Sequence, residues 1–361
     1  MSELLSKYDD LLKDSGPAAI VFKQWLKPVG SEVFFPPTYA NPSQRKGDPP
    51  VYNIDRFESA KHSVCVIDSI PSQANRIEPS LGRVTDKEGK AIRLVPKVVV
   101  KTMVDGEEKQ VNLLEAGHRA ADAVVQLSSL REDITKAIKA YRDGDATRLA
   151  KLAPTSLVFG MWDSRKSGVK VPRLLNSIIR AYDVLEHRRS SQFNAALDFE
   201  SAGVVPGKGD KKLSEVGMNG APATFQHGGI EARGGICRDA SLNLCTLRDI
   251  PGTDENQTLA LQRYILGLSL VALTYFDGKI FNLRQGCQLV AIPEKPMTRT
   301  FINADGSETP FGDDAEGVLA YAASAAAAFG VDNDRIDEKF NPTLAKDELK
   351  KSTKDEEGGK S

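Results

Sequence analysis

Apolar and polar positions set out a mixed fold. AAIVFKQWL from Ala18 reads as a strand, and HSVCVIDSI from His62 as a second. Between them, SEVFFPPTYANPSQRKGDPPVYN is too punctuated by proline for regular structure. The second strand runs into PSQANRIE, where Pro71 suits a first helical turn, Ser69 or a neighbour can cap it and Pro79 stops it. IRLVPKVVVKTMVD and EKQVNLL read as paired strands turning at Asp105-Gly106, a dipeptide favoured in tight hairpins.

The stretches His118–Gly144 and Ala146–Ala153 read as helices. SLVFGMWDS is expected to be a strand, RKSGVKVPR a basic loop, and LLNSIIRAYDVLEHRR a helix with Leu174, Ile178 and Leu185 as its apolar stripe. Glycine is dense from Gly203 to Gly235, which predicts a long loop or a projecting hairpin. A strand SLNLCTLRDI, a core helix LALQRYILGLSLVALTYF and a strand RQGCQLVAI follow. Strands alternating with helices, with some hairpin pairs, give an α+β fold with large insertions.

The last part divides from the rest by charge. From Asp305 onward there are 14 acidic and 7 basic residues, while the first 304 residues hold 41 basic against 35 acidic. The net charge of −1 therefore hides a basic surplus in the larger part, as a local site for an anionic ligand would require. The expected division is a main body over 1–304, an acidic region with an alanine-rich helix over 305–340, and a charged tail over 341–361 that cannot bury enough apolar surface to order itself.

The longest apolar run, Tyr264 to Phe276, falls well short of the roughly 20 residues a membrane span needs. The N-terminus reads as an amphipathic helix and not as a secretory signal, so a cytoplasmic protein without a membrane partner is expected. Cys65, Cys237, Cys245 and Cys287 form no CxxC pair, and His62, His118, His187 and His227 show no ligand-like spacing to them. No metal and no cofactor is therefore expected. GKGDKK and GGIEARGG do not complete a nucleotide-binding loop, because no Ser or Thr follows a Gly-Lys pair. Lys208, Lys211, Lys212 and Arg233 suit a flexible element closing over an extended ligand. His118 beside Arg119 could act as a general base in RNA cleavage, but a lone helical histidine is more often a capping or packing residue.

Two segments carry candidate chemistry. In DSIPSQANRIE, helical spacing puts Ser72, Asn75 and Arg76 on one face, a set able to bind phosphate and ribose. An ordinary capped helix with a solvated polar face fits the same spacing. In Trp162–Gln192, seven basic residues stand against three acidic ones, and Arg173, Ser177 and Arg180 fall away from the apolar stripe. That surplus suits a channel following a sugar-phosphate chain, or else a solvated basic face.

FFPPTYA, IDSIPSQANRIE, GMWDSRKSG with VPRLLNSIIRAYDV, and LRQGCQLV occur in an order that resembles the CRISPR-associated RAMP superfamily, specifically the backbone subunit of the type I-G (formerly I-U) Cascade complex. The resemblance implies a palm of RNA-recognition-motif (ferredoxin-like) type with inserted finger and thumb elements, the thumb placed at about 203–235. It also implies a CRISPR RNA partner, target DNA through guide pairing, other copies of the chain in a helical filament, other Cascade subunits and a recruited helicase-nuclease. Carried onto this sequence, Ser72, Gln73, Asn75 and Arg76 would contact the guide backbone from the palm. Arg165, Lys166, Arg173 and Arg180 would line the same groove, with Lys170, Ser177 and Arg233 as further RNA-binding residues. The chain would not itself cut, so no catalytic residue is assigned. A CRISPR RNA processing endonuclease of the same superfamily and a stand-alone RNA-recognition protein are the alternatives.

Overall fold

The computed structural model describes residues 2–43, 45, 48–56, 63–199, 201–203, 216–218, 220–331 and 335–358. After short helical turns at Ser2–Leu5 and Asp9–Leu12, the strands β1 (Ala19–Pro28), β2 (Val33–Phe34), β3 (Ile54–Arg56) and β4 (Ser63–Asp68) form, followed by the helix Ile70–Ile77. The hairpin of β5 (Lys97–Val104) and β6 (Glu107–Asn112) turns where expected, with Asp105 and Gly106 both at positive φ. Helices at Ala123–Gln126, Arg131–Arg142, Thr147–Leu152 and Thr155–Phe159 lead to β7 (Met161–Trp162) and β8 (Lys170–Val171). Then come β9 (Leu175–Tyr182), β10 (Val184–Phe193), β11 (Ala221–Ala232) and β12 (Ile236–Asn243). The helix Leu244–Arg248 and the core helix Glu255–Leu273 precede β13 (Phe281–Arg284), β14 (Cys287–Ala291), β15 (Thr298–Ile302) and β16 (Glu308–Pro310). The helix Ala315–Phe329, β17 (Arg335–Lys339) and the helix Pro342–Gly358 complete the order.

The fold is α+β. Its main antiparallel sheet has the order β13-β14-β1-β12-β9-β4-β3, with β15 and β16 attached along β1. The ten-residue β1 pairs with β12 along one edge and shares its other edge between β14 and β15. The sheet curls, which brings the Cys65 and Cys287 thiols of β4 and β14 within electrostatic reach of each other.

One face of this sheet carries the core. Ile20, Phe22 and Leu26 of β1, and Leu175, Ile179 and Ala181 of β9, are buried on it with the core helix. That helix is buried on nearly every side. A Cβ at Gly267 would lie 2.9 Å from the Cα of Ala322, so the glycine and the small residues of Ala315–Phe329 let the two backbones approach closely. Tyr264 stacks on Phe329 with centroids 4.9 Å apart. The alanine-rich helix, set apart in sequence by its acidic surroundings, is therefore packed into the same core.

The larger departures from the sequence reading are four. Leu174–Arg189, expected as a helix, is β9 and the start of β10. Leu175, Ser177, Ile179 and Ala181 are buried while Asn176, Ile178, Arg180 and Tyr182 are half-buried, a period of two that a stripe at i and i+4 also contains. Asp183 at φ 49° bends the chain between the two strands. Ser156–Phe159, expected as the start of a strand, belongs to a fully buried helical turn, Thr155–Phe159, ended by Gly160 at φ 75°. In SLNLCTLRDI the strand stops at Asn243, whose side chain caps the helix Leu244–Arg248. The charged tail, expected to lack order, is helical over Pro342–Gly358, and Arg131 pairs with Glu348 at 2.8 Å.

The glycine-rich stretch contributes β11, which pairs antiparallel with β10. From Arg188 to Phe193 the β10 side chains are exposed, so this hairpin stands away from the core. Lys208, Lys211, Lys212 and His62 lie outside the described residues. No helix among the described residues is long and apolar enough to cross a membrane.

Candidate nucleic-acid interface

The helix Ile70–Ile77 forms as its sequence dictates. The Ser69 side chain accepts from the Ser72 backbone N–H, and Pro71 occupies the first turn. Gln73, Ala74 and Ile77 face inward, which leaves Ser72 and Asn75 on the outer face, Ser72 half-buried and Asn75 exposed. Arg76 turns back from that face. Its Nε donates to Asp68 Oδ2 at 3.0 Å and its Nη2 to the Leu283 carbonyl at 2.9 Å.

Gln73 and Ser177, expected at the interface, are instead interior. Gln73 Nε2 donates to Asp68, and Gln73 Oε1 accepts from Ser177 Oγ at 2.9 Å. Ser177 Oγ accepts in turn from Arg238 Nε at 3.0 Å, and Arg238 Nη2 donates to the Leu273 carbonyl at 3.2 Å. Burial pushes the Arg238 guanidinium down to about 10, and it rests over the Phe276 ring. Gln73 and Ser177 are thus occupied by buried partners between sheet and helices, while Arg238 Nη1 has no hydrogen-bond partner among the described residues.

A second buried pair ties the end of this helix to the start of the β7–β8 hairpin. Arg119, at φ 55°, lies 2.8 Å from Glu78 and donates through Nη1 to the Gly160 carbonyl at 3.1 Å. Burial raises the Glu78 carboxyl, opposed by the Arg119 charge. Arg173 follows the hairpin and donates to the Ile70 carbonyl at 3.4 Å. Burial, then the nearby Arg119, lowers its pKa. Helix and hairpin are thus fixed to each other from both ends.

The hairpin itself is braced. Asp163, almost fully buried, accepts from the backbone N–H of Ser167 at 3.1 Å and from its hydroxyl at 2.6 Å. Asp163 N–H donates to the Val169 carbonyl, and Gly168 N–H to the Asp163 carbonyl. Met161, Val169 and Val171 point into the core. Trp162 and Lys170, paired across the strands, point out, with the ammonium 4.5 Å from the ring centroid. Arg165 and Lys166 stand exposed at the tip, Lys166 Nζ donating to Gln126 Oε1 at 2.9 Å. The Arg173–Ile70 bond and the Arg119 contacts thus set the hairpin that carries Arg165, Lys166 and Lys170 against the helix that carries Ser72 and Asn75.

Arg180 and Arg233 belong to neither element. As an even-numbered residue of β9, Arg180 projects from the sheet face opposite Ser177 and lies 3.5 Å from Asp239 of β12. The register there aligns Trp25, Cys237 and Arg180 across β1, β12 and β9, with Lys23 and Lys295 near the Trp25 ring. Arg233 sits in the turn after β11, bound to Glu231 at 3.0 Å. The tryptophans were missed in sequence reasoning. Trp162 could have been found, because it opens the basic segment; Trp25 could not, since its neighbours come from distant strands.

His118 is exposed, and the Asp122 side chain accepts from its backbone N–H. His227 packs on Tyr52 and contacts the Pro50 carbonyl at 2.8 Å, and His187 lies 3.7 Å from Glu231.

The region built from helix and hairpin lies within a stretch that known proteins share. Residues 20–186 match a family described as CRISPR-associated protein GSU0053. The match runs from β1 into β10 and so includes every residue of the region. Among solved structures, a chain of a "CRISPR RNA-guided surveillance complex, pre-nicking" is similar at 14% identity over 87% of this chain and 90% of that one, with a TM-score of 0.31. No curated protein matches.

Proposed function

We propose that this chain is a CRISPR RNA-binding backbone subunit of a type I Cascade surveillance complex, a scaffold and not an enzyme. The observation that carries the reading is the braced basic hairpin with Arg165, Lys166, Lys170 and Arg173, tied to the helix that carries Ser72 and Asn75, inside the stretch that matches a CRISPR-associated family. Guanidinium and ammonium groups on a fixed hairpin suit phosphate oxygens, and a hydroxyl and an amide suit phosphate or ribose. Such a surface holds the backbone and leaves base edges open, so sequence would be read by pairing with target DNA.

In the same proposal the main sheet with its covering helices is the RNA-recognition-type palm, and the β10–β11 hairpin is the thumb. Further copies of the chain would follow along the guide, with other Cascade subunits and a helicase-nuclease joining the assembly. The sequence motifs support the type I-G subtype.

The test is an affinity titration of single-stranded CRISPR RNA against salt. Binding whose logarithm falls linearly with the logarithm of salt concentration, and whose slope shrinks when Arg165 or Lys170 is removed, is expected. Salt-independent binding, or RNA that is cut on incubation, would overturn the proposal.

A further inference from the structure

Trp162 has an unusual setting for a large apolar side chain. It is 59% exposed, and its partner across the strands is Lys170. Arg165 and Lys166 follow it within four residues, and Arg173 closes the far end of the hairpin. An apolar side chain of another protein would bring no charge to set against these cations. A nucleotide brings both a flat ring and a phosphate.

The support beneath Trp162 is rigid. Neighbouring Met161 is buried, the buried Asp163 ties the loop closed, and Gly160 at φ 75° meets Val171 and Arg173 so closely that a Cβ there would lie 3.0 Å from the Val171 carbonyl oxygen. A tryptophan held this way loses little freedom on stacking, having two side-chain torsions.

We infer that Trp162 is the stacking platform for one unpaired base of the bound RNA, with Lys170 and Arg165 on the flanking phosphates. The inference rests on the RNA-binding reading. It adds one position where the protein holds a base as well as the backbone, a contact that is tolerant of base identity because every base presents a π face.

Fluorescence provides the test, because the chain has two tryptophans. In the full-length Trp25→Phe protein, titration with an unstructured RNA oligonucleotide is expected to quench Trp162 emission. The same oligonucleotide with abasic positions is expected to bind with little quenching. Trp162→Ala in the native background is expected to weaken binding about ten-fold with the salt slope unchanged, and Trp162→Phe to recover most of the affinity. Salt-dependent RNA binding without quenching, and with native affinity in Trp162→Ala, would overturn the inference and leave the RNA-binding reading standing. A change in oligomeric size in Trp162→Ala without RNA, at unchanged RNA affinity, would assign the ring to contact between copies and also overturn it. Absence of any RNA binding in the native protein would remove both.

Discussion

Arg76 reaches back along its own helix to Asp68, Nε to Oδ2 at 3.0 Å, with the carboxylate side chain 1% exposed and the guanidinium 32%. A group expected to meet phosphate is thus the partner of a buried charge. Truncating it leaves Asp68 with the Gln73 amide and, among the described residues, no ion-pair partner. Arg76→Ala is expected to lower folding stability by about 2 kcal/mol, read as a shifted urea midpoint. An unchanged midpoint would mean that the pair contributes nothing.

Ser177 links Gln73 to Arg238, so its hydroxyl serves two buried partners. Ser177→Ala is expected to cost about 1–3 kcal/mol, because the Arg238 Nε loses its acceptor in a fully buried site. RNA affinity per folded molecule should be unchanged. A folded variant with native stability and weakened RNA binding would place Ser177 at the interface after all.

The two faces of the molecule separate in a salt titration. Arg165→Ala and Lys170→Ala are each expected to flatten the log–log slope for single-stranded RNA by about 0.7. Arg180→Ala, on the opposite sheet face and paired with Asp239, is expected to leave the slope as it is and to change stability by less than about 1 kcal/mol. If Arg180 moves the slope and the hairpin residues do not, the RNA follows the sheet face carrying Trp25.

Thiol chemistry tests the packing. Burial pushes Cys65 and Cys287 up to about 12 and Cys237 up to about 11, whereas Cys245 is exposed. Since the thiolate is the nucleophile, alkylation of the native protein near pH 8 is expected to modify Cys245 quickly, and the other three only after denaturation. Rapid native modification of Cys65 or Cys287 would contradict the burial of β4 and β14 in the core.

Much of this fold was legible where local chemistry decides it. The capped helix at Ile70–Ile77, the Asp105-Gly106 hairpin and the core helix each follow from residues within a few positions. The segment Leu174–Arg189 reads as a helix because Leu174 and Ile178 satisfy a helical stripe, while the deciding feature, burial of Ser177 beside Ile179, depends on Arg238 some 60 residues later. The cations of the hairpin could be named from charge density alone. Which polar residues go inside could not, because Asp68, Gln73, Ser177 and Arg238 become a network only when three strands and two helices meet.

Under the proposed function, copies of this chain line up along one guide. Co-expression with a CRISPR array, purification, digestion of unprotected nucleic acid and sizing of the retained RNA tests it most directly. A ladder of protected fragments with a constant increment per copy is expected. No retained RNA, or one short fragment of a single size, would contradict it.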